Sequence, residues 1–117
     1  MGEKASDNDT LNLTGAMNLG ITNIDLSQAD QITQMNGVVD TAVQSGIESI
    51  DVSGITGTYG TVITGNTDGN TITGSPKADI INSGGGADTI NAKAGEDVIT
   101  ITDASTDLTA NDKIDTV

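Results

Sequence analysis

"GNTDGNTIT-GSPKADIIN-SGGGADTIN-AKAGEDVIT", residues 65–100, is one nine-residue pattern written four times. Isoleucine returns at Ile63, Ile72, Ile81, Ile90 and Ile99, and two places before the last four stand Asn70, Asp79, Asp88 and Asp97. Two positions locked together over this length mark a true internal repeat. Nine residues are too few for a pair of helices; they suit a turn of about six residues and a strand of about three. The neighbours of each isoleucine (Thr71 and Thr73, Ile80 and Asn82, Thr89 and Asn91, Val98 and Thr100) are mostly polar, the alternation of a half-buried strand. The isoleucines are therefore expected to point inward. Successive strands should alternate between two facing sheets, with the isoleucine ladder filling the gap.

Composition agrees with a thin β architecture. There is one aromatic residue, Tyr59, so no thick aromatic core is available, and β-branched residues must supply the packing. Tyr59, just ahead of the repeats, is expected to cap the isoleucine ladder. Seventeen acidic residues against four basic ones give a formal net charge of −13. A polyanion of this kind repels nucleic acid, and its carboxylates call for cations. No cysteine and no histidine occur, which excludes disulfides, zinc held by Cys or His, and His-based triads. No apolar run is long enough for a transmembrane segment, and "MGEKASDNDT" (1–10) has no signal-peptide core.

The four blocks resemble the nonapeptide G-G-x-G-x-D-x-U-x (U a large aliphatic) of RTX proteins, a Ca²⁺-binding motif. "SGGGADTIN" carries it at Gly84, Gly86, Asp88 and Ile90; "AKAGEDVIT" keeps Gly95, Asp97 and Ile99. "GSPKADIIN" keeps Gly74, Asp79 and Ile81 but places Pro76 and Lys77 in the loop. "GNTDGNTIT" keeps Gly65 and Ile72, with Asn70 in place of the aspartate. Ca²⁺ takes six to eight oxygen ligands, backbone carbonyls included, and glycine lets a loop turn its carbonyls toward one point.

In a two-sheet roll one coil is two units, so loops on the same edge lie 18 residues apart. Asn70 then sits over Asp88 on one edge and Asp79 over Asp97 on the other. The resemblance implies that each ion is held between two such loops. Asn70 with Asp88 and Asp79 with Asp97 would each frame a site, with carbonyls of Gly84, Gly86 and Gly95 among the ligands. Lys77 argues for a weaker second site.

Other readings of the glycines fail or lack support. A dinucleotide loop needs a glycine where Thr89 stands, and a βαβ unit around it. An EF-hand at 66–70 would need ligands where Thr64 and Ser75 are. A free glycine linker would not carry periodic Asp and Ile. A β-solenoid with purely structural loops is the remaining alternative.

Ahead of the repeats, "ITNIDLS" (21–27) and "IESIDVS" (47–53) share I-x-x-I-D-[LV]-S. Ile24, Leu26, Ile50 and Val52 read as inward, and Asp25 and Asp51 as outward and solvated. "TLNLTG" (10–15) reads as a further strand with Leu11 and Leu13 inward. Between them Ile32, Met35, Val39, Ala42 and Val43 fall at helical spacing, and Ser27 with Asp30 resembles a capping box. The spacing predicts a short helix over 28–35, while Asn36-Gly37 is a hairpin signal that leaves 38–45 ambiguous.

The expected fold is all-β: a parallel β-roll or β-solenoid of nonapeptide repeats, preceded by a β-rich segment containing that short helix. The expected division is 1–55, then the RTX-like roll over 56–102, then a β tail over 103–117 ending at a fragment boundary. The expected function is a calcium-binding structural segment of an exported bacterial surface-layer or adhesin-type protein. Catalysis, nucleic acid and a membrane span are not expected; calcium ions and self-association on the cell surface are. The alternatives are a ligand- or ice-binding solenoid, with threonine rows Thr71/Thr89 and Thr73/Thr100, and a secretion or folding module of a toxin or secreted enzyme.

Overall fold

The computed structural model describes residues 9–39 and 46–100, and Lys113–Asp115 as a backbone strand. Among the described residues eleven strands follow one another: β1 (Thr10–Ala16), β2 (Thr22–Asp25), β3 (Ile32–Met35), β4 (Val38–Val39), β5 (Ser49–Thr56), β6 (Thr61–Thr64), β7 (Thr71–Thr73), β8 (Ile80–Asn82), β9 (Thr89–Asn91), β10 (Val98–Thr100) and β11 (Lys113–Asp115). Among the described residues there is no helix. One sheet has the order β1-β5-β7-β9-β11 and the other β10-β8-β6-β2-β3-β4. From β5 to β11 every strand switches to the opposite sheet, and neighbours within each sheet pair in parallel. This all-β, two-sheet arrangement is consistent with an RTX-type β-roll.

Register follows from the period. Ile72 pairs with Ile90, and Ile63 with Ile81, which pairs in turn with Ile99. The columns run on into the earlier strands: Leu11 beside Ile50 beside Ile72 in the first sheet, Ile32 beside Ile24 beside Ile63 in the second. Ile24, Ile63, Ile72 and Ile81 are 0% exposed, and Ile32, Ile50 and Ile90 are 1% exposed. Leu13 and Ile99 pack against this core while remaining partly buried. Burying each isoleucine is worth roughly 1.5–3 kcal/mol. A three-residue strand gains that only if a neighbouring coil covers it.

Two expectations ahead of the repeats are corrected. Residues 28–35 are not helical. Ile32–Met35 and Val38–Val39 form a hairpin, antiparallel to each other and to β2. Asn36 (φ 52°) and Gly37 (φ 75°) turn it, the left-handed pair that a tight two-residue hairpin requires. The turn is held from outside: Leu19 N donates to Asn36 Oδ1 (2.9 Å), and Gly37 N donates to the Ile21 carbonyl (3.0 Å). Buried Gln31 anchors the return, with Ile47 N donating to its Oε1 (2.9 Å) and its Nε2 donating to the Leu26 carbonyl (3.2 Å). Residues 40–45 lie outside the described residues, as does the tail of 103–117 apart from β11. Tyr59, second, does not cap the isoleucine column. It is 39% exposed and borders a shallow outer cleft with Ile21, Val62, Ile80 and Val98.

The shared I-D-[LV]-S element also gains a physical meaning. Ser27 N and Oγ both donate to Asp25 Oδ1, so Ser27 serves Asp25 and does not begin a helix. Ser53 N (2.9 Å) and Oγ (2.6 Å) donate to Asp51 Oδ1 in the same way. The Asp51 carboxyl is held below the ordinary aspartate value by these two Ser53 bonds, the side-chain one first. Its contribution to stability is therefore complete above the ordinary value and is lost as pH falls through the lower, folded-state value. In acid titrations followed by circular dichroism, Asp51→Asn is expected to lose less stability than the parent as pH falls below the ordinary aspartate value.

Candidate metal centre

The loops that carry the equally spaced Asn70, Asp79, Asp88 and Asp97 stack as the 18-residue register dictates. Asn70 N donates to Asp88 Oδ1 (2.9 Å), and Asp79 N donates to Asp97 Oδ1 (2.9 Å). Asn70 is 2% exposed, Asp79 0% and Asp88 1%; Asp97 is half-buried. Gly84 and Gly86 are half-buried in the loop ahead of Asp88, and Gly95 is exposed in the loop ahead of Asp97.

The glycines are there because the next loop is close. A Cβ on Gly84 would stand 2.4 Å from the Asn66 carbonyl oxygen, on Gly86 2.7 Å from that of Asp68, and on Gly95 2.6 Å from that of Lys77. Each contact spans 18 residues, from one coil to the next. All three glycines also have positive φ (75°, 89° and 114°), which side-chain-bearing residues rarely adopt. Lys93 occupies the left-handed region as well, at φ 67°. A lysine there costs about 1–2 kcal/mol of strain. Lys93→Gly is expected to raise stability by about 0.5–1 kcal/mol after the added chain entropy of glycine, read as a higher midpoint in urea.

The donor set suits a hard cation. Carbonyl oxygens of Asn66, Asp68 and Lys77 face Gly84, Gly86 and Gly95 in the loops that lead to Asp88 and Asp97. Oδ2 of Asp97 is buried and has no hydrogen-bond partner among the described residues. Among those residues no three acidic side chains converge, so an ion here would rely on carbonyls for most of its shell. Oxygen-only, mostly neutral ligation of this kind fits Ca²⁺ and excludes the thiolate and imidazole sites preferred by zinc or copper.

Several residues of these edges were not singled out by the repeat. Thr61 lies 18 residues before Asp79, and its N (2.9 Å) and Oγ1 (2.8 Å) both donate to Asp79 Oδ1. Ser75 Oγ donates to Asp79 Oδ1 (2.7 Å) and Ser75 N to Oδ2 (2.9 Å). Burial raises the Asp79 pKa above the usual aspartate value; the Ser75 and Thr61 bonds oppose that, and nearby Asp97 adds to it. Glu48 extends the other edge: Asp9 N donates to Glu48 Oε2 (2.8 Å), and Asn70 Nδ2 donates to the Glu48 carbonyl (3.1 Å). The signal for Thr61 was present, since it stands two places before Ile63 as Asp79 does before Ile81. Glu48 could not be found by period, because 22 residues separate it from Asn70.

Of the two threonine rows in the ice-binding alternative, the outer faces carry one. Thr71 and Thr89 are register neighbours, but Thr73 pairs with Asn91, and Thr100 pairs with Asn82 in the opposite sheet. No continuous Thr73/Thr100 row exists. Among the described residues, no helix is long and apolar enough to cross a membrane.

Comparison with known proteins adds one positive finding. No curated protein and no solved structure matches the chain. Residues 64–99, the stretch that builds these stacked loops, match the RTX calcium-binding nonapeptide repeat in four copies, so the chain carries an RTX calcium-binding segment.

Proposed function

We propose that this chain is a calcium-stabilised structural segment of an exported bacterial surface-layer or adhesin-type protein, wound as a β-solenoid and without catalytic activity. The observation that carries the reading is the stacking of glycine-rich loops at an 18-residue spacing, each carboxylate accepting a backbone N–H from the loop 18 residues earlier, within the matched repeats. Asn70 with Asp88 frames one site and Asp79 with Asp97 the other, with carbonyls of Gly84, Gly86 and Gly95 as further ligands. Bound Ca²⁺ supplies positive charge between loops that otherwise bring acidic side chains together.

The net charge of −13 fits this role. Without cations the acidic loops repel one another and their glycines retain much conformational entropy. Outside a cell, where calcium is plentiful, binding free energy becomes folding free energy. The non-catalytic reading rests on composition: with neither histidine nor cysteine, the chain offers no His- or Cys-based nucleophile–base pair.

Circular dichroism in chelator and in millimolar Ca²⁺ tests the proposal. A gain of β signal on adding calcium is expected, with light scattering reporting self-association. A chain equally folded in chelator and in calcium, with no heat of binding, would sink it.

A further inference from the structure

We propose that the outer face of β6, β8 and β10 is where a second copy of this chain docks, held by a row of exposed aliphatic residues and aligned by Lys77 and Glu96. The inference rests on the calcium-stabilised, self-associating reading above and names the surface and the partner.

The row comes from one position of the repeat. The residue just before each inward isoleucine lies on the outer face, and it differs between the two sheets. On β7 and β9 it is Thr71 and Thr89. On β6, β8 and β10 it is Val62, Ile80 and Val98, paired side by side. Ile80 is 50% and Val98 55% exposed, and Ile21 and Tyr59 flank the row across the outer cleft. Packing does not require aliphatic side chains there, since threonine fills the same position in the other sheet. A contiguous apolar row rimmed by polar residues is the kind of surface that marks an interaction site.

Charge decides the occupant. A chain of net charge −13 repels its own copies unless they meet where charge is absent or balanced. The row itself is uncharged. Lys77 and Glu96 stand at the edge where β8 and β10 begin. Gly95 stacks on Lys77, its Cβ position 2.6 Å from the Lys77 carbonyl oxygen, and Glu96 borders the cleft with Ala78. Neither Lys77 nor Glu96 has an ion-pair partner among the described residues, whereas Lys93, earlier in its loop, acts on Asp51.

Opposite charges in neighbouring coils suit a two-fold contact. An axis parallel to the strands, midway between β8 and β10, sets Ile80 against Val98 of the second copy and Lys77 against its Glu96, and each contact then occurs twice. Four aliphatic side chains and two ion pairs are far fewer than the roughly 20–30 residues a side of a stable complex. The contact is therefore weak between free chains, with a Kd on the order of 0.1–1 mM. It gains strength where copies are already held side by side.

Sedimentation equilibrium of the full chain in Ca²⁺ tests this, with circular dichroism on the same samples. The parent is expected to approach twice the monomer mass as concentration rises through that range. Ile80→Thr combined with Val98→Thr gives the row the residue its counterpart carries, and should weaken pairing at least about tenfold with the fold kept. Lys77→Glu and Glu96→Lys should each stay monomeric alone, while an equal mixture of the two pairs again, because each chain then meets opposite charge at both contacts. Ion pairing within one chain cannot give that result. A parent that folds in calcium yet stays monomeric at about 2 mM, or a row variant that pairs as the parent does, overturns the docking face and leaves the calcium reading intact. If the row variant lowers the urea midpoint as far as Ile81→Ala does, the chain covers its own row and the face is no docking surface. A circular dichroism signal that ignores calcium sinks the calcium reading, and the mixture then judges the face by itself.

Discussion

Replacing Ile81 by alanine is expected to destabilise the chain by about 2–5 kcal/mol, among the largest effects available in it. Ile81 is 0% exposed and sits in its column between Ile63 and Ile99. The substitution removes buried methylenes and leaves a cavity that is hard to close, because β8 is held in register between β6 and β10. With one aromatic residue in the whole chain, no bulky side chain is at hand to fill the gap. Urea denaturation in Ca²⁺ measures the loss. Ile99→Ala, in a half-buried rung, should lose clearly less. Equal losses at the two positions would show that the column does not carry stability as described.

The second large effect is that of calcium at the Asp88 loop. At free Ca²⁺ a hundredfold above its Kd, one site adds about 2.7 kcal/mol to the folded state. Asp88→Ala is expected to remove that increment, together with about 1 kcal/mol for the bond accepted from Asn70 N. Asp88→Asn keeps an acceptor for Asn70 and isolates the charge. The loss on Asp88→Asn should therefore be confined to calcium-containing buffer and shrink toward zero in chelator. Calorimetric titration decides the assignment, since an Asp88→Ala variant that binds Ca²⁺ as the parent does cannot have lost a ligand.

Much of this architecture was readable from the chain itself. The nine-residue period predicts the inward isoleucines, the alternation of strands between sheets, and the pairing of Asn70 with Asp88 and Asp79 with Asp97. Each follows from a local rule repeated without interruption. Where the repetition stops, the local signals conflict. Ile32, Met35 and Val39 fall at helical spacing, yet Asn36-Gly37 and pairing with β2 decide for a hairpin. That outcome depends on a neighbouring strand already being in place, which periodicity does not reveal. The joining of β1 and β2 to the sheets was hidden for a similar reason. Leu11 pairs with Ile50, and Ile24 with Ile63, across 39 residues that include the hairpin. The two I-D-[LV]-S elements lie in opposite sheets, so their likeness reflects a local Asp–Ser hydrogen bond rather than stacking.

The donors around Asp79 mark the limit of reading a motif by its consensus. Thr61 occupies the aspartate position one unit before the matched segment, and Ser75 replaces a glycine within it. Against a consensus both look like lapses. In the folded chain each gives the carboxylate an N–H and an O–H.

The 18-residue coil also sets how the chain responds to load. Main-chain bonds between coils run along the stack, so a pull in that direction strains one coil boundary at a time instead of shearing many bonds together. Eighteen residues drawn out straight reach roughly 60 Å. Each coil that gives way under tension would thus release a tether of that length while the coils behind it stay closed, making the roll a stepwise shock absorber.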